Sequence, residues 1–297
     1  MGFFDRFRKK PQPAPETPPK TPSRTTSEAP SRTTPDLSLK PDTMALLLMD
    51  RVLPGIGPAV DLLRKAFGDK AVGNIDASHP RVPALTVTLD SLEFWVSYLP
   101  MPLPPSDLDV PTAAKYNIFL SPEEKTAFAA HKSFWVLAQK GGGTSLPEKR
   151  RVCWTFSKLC AALLDLDGAV GVNPKNRGGL LVSKRSYLNH TSQMAKTTWD
   201  NGDGYFPVPL WVWLYITEEK GRQTIQTCGM NDFGLPEMAF YDPKLPVPTL
   251  MNYLFTMSSR QITQREVPYR NAIVVPLNEH TEVVCKEENG VLYFIGA

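Results

Sequence analysis

The chain has 297 residues with a formal net charge of +3, and apolar residues make up 42% of it, enough for one large folded unit or two small ones. Residues 1–43 carry eight basic and five acidic side chains, and the remainder balances at 25 of each, so the body gives no electrostatic reason to expect a phosphate backbone as partner. No run of 18 apolar residues occurs, which excludes a helical membrane span. Four cysteines, Cys153, Cys160, Cys228 and Cys285, make no disulfide framework in a chain of this length and point to free thiols in a reducing, cytoplasmic setting.

The start, "MGFFDRFRKK", lacks the apolar run and small-residue cleavage site of a secretory signal. It resembles a myristoylation site only in Met-Gly, because Arg6 stands where Ser or Thr is required. Drawn as a helix over residues 1–10, Phe3, Phe4 and Phe7 fall on one side, interleaved with Arg6, Arg8, Lys9 and Lys10. The functional reading is peripheral contact with a membrane surface or docking to a partner, and the plain one is a frayed, solvated terminus. Residues 11–43 are rich in Pro, Thr and Ser and have no aromatic residue. Such a stretch cannot bury enough surface to offset chain entropy, so it reads as a disordered, semi-extended linker.

Folded structure is expected over 44–297. "MALLLMDRV" reads as a buried strand. Pro58 opens a helix with Val60, Leu63 and Phe67 on one face, and Gly68 stops it. "LTVTLDSLEFWVSYL" reads as a hairpin turning at Asp90-Ser91, and the prolines of "PMPLPPSDLD" end it. Ser121 and Glu124 form a capping box for a helix running to about residue 130. "SFWVLAQ" is the next strand, and Gly141, Gly142 and Gly143 connect it onward. From Pro147 the spacing of Val152, Phe156, Leu159 and Leu163 marks a long amphipathic helix. "AVGV" and "GLLV" are short extended pieces around "NPKNRG", followed by a helix over 184–195. A strong hairpin follows, Leu210–Ile216 with Arg222–Cys228, then a helix over 248–258 and a last hairpin turning at Glu288-Asn289-Gly290. Without strict strand–helix alternation, the expected class is α+β, with mixed or antiparallel sheets and helices packed on one face.

No metal-binding motif, dinucleotide or phosphate-loop glycine pattern or nucleophile elbow is present, so no metal, cofactor or catalytic residue is expected. Cys153 and Cys160, seven apart on one helix face, read as small core residues. His131, between a capped helix and a strand, reads as a hydrogen-bonding plug that closes the junction. Asn173, Lys175, Asn176 and Arg177 cluster in a polar loop, the kind of segment that carries binding residues.

Taken in order, "MPLPPSDLD", "HKSFWVLA", "PLWVWLYI" and "CGMNDFGLPEMAF" resemble the bacterial domain-of-unknown-function 4261 family. The resemblance runs from about residue 44 to residue 297 and is weakest over 68–84 and 196–206. It implies a bacterial cytoplasmic protein and supplies no reaction or catalytic residue. The family's Thr-x-Gly, Phe-Gly and acidic positions fall on Thr227, Gly229, Phe233, Gly234 and Glu237. In that stretch the glycines, Asn231 and Asp232 suit a turn, and Glu237 is either a partner contact or a cap.

The expected function is a non-enzymatic module that binds another protein, with an immunity or adaptor role beside a bacterial toxin or secretion system as one form. The alternatives are an enzyme using His131, Glu237, Asn176, Arg177 and Cys228, and a membrane-peripheral scaffold docked through residues 1–10.

Overall fold

The computed structural model describes residues 43–76, 83–139, 141, 143–174, 179–194, 205–219, 222–241, 245–264, 274–278 and 281–296. Residues 1–42, with the aromatic and basic segment and its linker, lie outside them. Among the described residues no helix is long and apolar enough to cross a membrane.

The unbroken apolar run of β1 (Met44–Met49) is explained by its central place. Ala45, Leu47 and Met49 face one hydrophobic core and Leu46 and Leu48 face a second, so neither side of the strand has room for a polar residue. α1 (Gly57–Phe67) has Pro58 in its first turn, ends at Gly68 and buries Val60 and Leu63; Phe67 is only half-buried. β2 (Val72–Asp76), β3 (Ala84–Leu89) and β4 (Leu92–Leu99) form a meander. Asp90 and Ser91 join β3 to β4 with φ of 51° and 64°, the paired left-handed geometry that matches strand twist in a two-residue hairpin.

α2 (Val110–Tyr116) is an element that the sequence reading passes over, capped by Asp109, whose carboxylate accepts from Thr112 N–H. α3 (Pro122–Ala129) carries the expected Ser121–Glu124 capping box. β5 (Ser133–Gln139) precedes α4 (Leu146–Leu163), whose Val152, Phe156, Leu159 and Leu163 are all buried. A second capping box, Ser145 with Glu148, starts α4. β6 (Ala169–Pro174), the two-residue β7 (Val182–Ser183) and α5 (Lys184–Met194) complete this half. The seven strands lie in the order β2-β3-β4-β5-β1-β6-β7, and every neighbouring pair is antiparallel.

The remaining elements are β8 (Trp213–Glu219), β9 (Arg222–Cys228), β10 (Glu237–Tyr241), α6 (Val247–Gln264), β11 (Val274–Asn278), β12 (Thr281–Glu288) and β13 (Val291–Gly296). They build a six-stranded sheet in the order β11-β12-β13-β10-β9-β8. β10 pairs with β13 in parallel, which makes this sheet mixed. Two expected boundaries move. The first strand of the 210–228 hairpin starts at Trp213, because Val208–Leu210, with Pro207 before it and Pro209 within it, forms a 3-10 turn. α6 runs to Gln264 rather than to residue 258.

The class is α+β, with one antiparallel and one mixed sheet. A single large core holds residues of both sheets and of α1, α4, α5 and α6. Within it the Phe156 ring of α4 lies 5.8 Å from Phe94 and 5.9 Å from Trp211. The large sheet carries helices on its other face too, where Val110 and Ala114 of α2 and Phe128 of α3 cover Leu46, Leu48 and Phe134. That placement is wider than the single face expected, because β1 presents leucines on both sides.

The α4 cap carries a pH signature. The Glu148 carboxylate accepts from Ser145 N–H at 2.9 Å and Thr144 N–H at 2.9 Å. These bonds, with those of the Ser145 and Thr144 hydroxyls, hold its pKa down from 4.5 to about 2. A depressed folded-state pKa gives stability that is complete above 4.5 and is lost as pH falls toward 2. In Glu148→Gln, urea midpoints measured between pH 5 and pH 2 are therefore expected to fall less steeply than in the parent chain.

Candidate functional site

The stretch "CGMNDFGLPEMAF" is a locked turn leading into a strand. After β9 the chain passes Gly229 at φ 127°, makes a 3-10 turn over Met230–Phe233 and leaves through Gly234 at φ 72°. Both glycines hold angles that side chains resist. Phe233 is buried against Phe206, ring to ring at 5.6 Å. Glu237 opens β10 and is 9% exposed. One carboxylate oxygen accepts from Thr227 Oγ1 at 2.7 Å, the other from Gly229 N–H at 2.8 Å and Asn231 N–H at 3.3 Å. Of the two roles open to Glu237, partner contact or cap, this geometry is the cap.

His131 closes the α3–β5 junction. It is buried, its Nδ1–H donates to Phe128 O at 2.9 Å and its Nε2 accepts from Leu103 N–H at 2.9 Å. The Phe128 carbonyl can only accept, which fixes the proton on Nδ1. His131→Ala would leave the buried Leu103 N–H without an acceptor, while Phe128 O keeps the backbone N–H of residue 131, and urea unfolding is expected to show a loss of about 1–2 kcal/mol.

Cys153 and Cys160 are buried and in no disulfide. Burial pushes Cys160 up to about 12, which keeps it an unreactive thiol. Cys228 is half-buried and in no disulfide. Asn173 is buried, and its amide donates to Leu180 O at 2.5 Å, tying the two ends of the "NPKNRG" loop together. Lys175, Asn176 and Arg177 lie outside the described residues, as do Phe3, Phe4, Arg6, Phe7, Arg8, Lys9 and Lys10. Of the residues named for an enzyme, His131 lies at the α3–β5 junction and Glu237 in β10; they share no partner and are both engaged with backbone groups. Among the described residues no three His, Cys, Asp or Glu side chains gather as metal ligands.

A different group of residues is brought together where α2 ends. Asn117 is 2% exposed; its amide donates to Leu181 O at 2.8 Å and its carbonyl accepts from Phe119 N–H at 2.9 Å. The chain is thereby staked to the segment before β7. Around this stake Tyr116, Ile118 and Phe119 stand 67%, 59% and 50% exposed.

Behind the loop lies a cleft of about 270 Å³. Phe119 and Leu120 line it from the loop, Leu180 and Val182 from the strand that Asn117 holds. Val212 and Trp213 enter from the start of β8, and Phe255 from α6. Trp211, next in the chain, is anchored by its indole N–H to Ser157 Oγ of α4 at 2.9 Å. α5 contributes Ser186 and His190, one helical turn apart and so on one face. Ser183, whose Oγ accepts from Ser186 N–H at 3.3 Å, caps the start of α5. His190 Nδ1 lies 3.3 Å from Tyr205 Oη. Burial holds the His190 pKa below the usual histidine value, favouring the uncharged ring.

The sequence reading singled out neither Asn117 nor His190 and left 110–120 without a helix. The signal available was Asp109 before a Pro-containing turn, then a run of bulky apolar residues ahead of the Ser121 capping box. No family model, no curated protein and no solved structure matches the chain.

Proposed function

We propose that the chain is a non-enzymatic module that binds another protein through the loop that Asn117 holds. The observation that carries this reading is the exposure of Tyr116, Ile118 and Phe119 around a buried asparagine. Full burial of such a side chain stabilises by about 1.5–3 kcal/mol, so leaving each half out forgoes on the order of 1 kcal/mol. A free loop would fold these groups inward. This one is fixed by two hydrogen bonds, and its apolar groups await a surface that excludes water, the pattern of an interaction site with central anchors. The equal numbers of acidic and basic side chains beyond residue 43 favour a protein over a nucleic acid as partner.

An immunity or adaptor role beside a bacterial toxin or secretion system is one concrete form of this function; the domain-of-unknown-function 4261 resemblance implies only a bacterial cytoplasmic protein, a setting that cysteines outside any disulfide suit. The enzyme reading built on His131, Glu237, Asn176, Arg177 and Cys228 draws no comparable support, since His131 serves backbone groups of Leu103 and α3 and Glu237 those of the turn after β9.

Ile118→Asp puts a charge at the centre of the loop without touching a buried residue. It is expected to leave the melting temperature unchanged and to reduce co-purification of the stoichiometric partner from the source cells at least about tenfold. Undiminished recovery of that partner would contradict the proposal.

A further inference from the structure

We propose that the cleft behind the loop is a binding site for a small neutral aromatic alcohol or phenol, its ring among Phe119, Trp213 and Phe255 and its hydroxyl on His190 Nε2. The inference shares Phe119 with the docking reading, but its test falls on Ser186 and His190, which lie outside the exposed loop. Size sets the first limit: 270 Å³ accommodates roughly 10–14 non-hydrogen atoms, at the lower end of ligand sites. Shape and chemistry set the second, since three of the lining side chains are aromatic and offer edge and face contacts to another ring.

Charge sets the third. Among the described lining residues there is no Asp, Glu, Lys or Arg, so these residues offer a charged ligand no counter-ion for the desolvation it would undergo. Burial also disfavours a charge on His190. The polar end is set by hydrogen bonding. Tyr205 occupies Nδ1 of His190, and neither Nε2 nor the Ser186 hydroxyl has a partner among the described residues. A hydroxyl both donates and accepts, so it satisfies Nε2 in either tautomer and can engage Ser186 one turn away. A carboxylate can only accept and brings charge; a hydrocarbon leaves Nε2 unmet.

The test is equilibrium dialysis of the full chain against 2-naphthol and, in parallel, 2-naphthoate. One saturable site for 2-naphthol is expected, with Kd on the order of 0.1 mM and at least about tenfold weaker retention of 2-naphthoate. Ser186→Phe fills the cleft and is expected to abolish retention. His190→Leu keeps the volume and removes the hydrogen bond, for an expected weakening of about fivefold or more. Both positions are half-buried, and circular dichroism reports whether each variant is folded; if Ser186→Phe is not, His190→Leu decides. The proposal is overturned by no saturable retention in the parent chain, by retention unchanged in the folded variants, or by naphthoate held as tightly as naphthol.

Discussion

Glu237→Ala is expected to destabilise the folded domain by about 3–4 kcal/mol. The carboxylate is buried and serves three donors: Thr227 Oγ1, Gly229 N–H and Asn231 N–H. A hydrogen bond to a charged acceptor contributes about 1.5–3 kcal/mol, and a buried donor left without a partner costs its full desolvation. The three losses are not additive, because part of the turn can open to water once the cap has gone. Glu237→Gln keeps one carbonyl oxygen for the backbone donors, and its amide can donate to Thr227, so about half of the loss is expected. Urea unfolding gives the magnitude. Amide exchange at Gly229 and Asn231 gives the location, with both protons expected to lose protection in the alanine variant before the strands do. Stability unchanged in Glu237→Ala would mean that the turn is held by Phe233 and its glycines alone.

Gly171→Ala is the second large effect, expected at about 3 kcal/mol or more. A methyl group placed on Gly171 would lie 2.3 Å from Val182 O, 2.5 Å from Phe128 Cζ and 3.0 Å from Ser183 Cα. The phenyl ring can shift, but the carbonyl and the Cα belong to β7, which pairs with Gly171 and Val172. Relief therefore requires β7 to separate from β6. Ser183 of β7 caps α5, which carries Ser186 and His190, so the strain passes directly into the cleft. Calorimetric melting measures the loss. Gly57→Ala, where an added methyl meets nothing within 4 Å, is the matched control, with an expected change within about 0.5 kcal/mol.

What the sequence makes legible here follows the range of the forces involved. β1 and β5 are readable because burial on both faces makes them unbroken apolar runs, α4 because burial of one face imposes a helical period, and the Ser121 box because its two partners are three apart. Asp90 and Ser91 are readable as a turn although neither is glycine, since alternation on both sides leaves only two residues to reverse the chain. β10 is not legible: Glu237 follows a cluster of turn residues, and the strand is buried on both faces, so Glu-Met-Ala-Phe shows no alternation. Its partner β13 joins it in parallel from some fifty residues further on, and local pattern carries no trace of that pairing.

The candidate site shows the same limit more sharply. Asn117 looks like an ordinary helix end until Leu181, 64 residues away, receives its amide. His190 is one of four histidines until α6, the start of β8 and the Asn117 loop close around it. The expected plug at His131 was readable because Phe128 is three residues before it. The expected binding residue Asn173 proved to be a loop tie, a role that only the position of Leu180 reveals.

The central claim is that the apolar loop around Asn117 is the face this protein presents to a partner. The most direct measurement places a photoreactive amino acid at position 118 and, separately, at exposed position 287 on β12, followed by irradiation in the source cells. The account predicts one discrete cross-linked species from position 118, absent from position 287 and abolished when Phe119→Asp is added. Equal cross-linking from both positions, or none from position 118 with the chain folded, would contradict it.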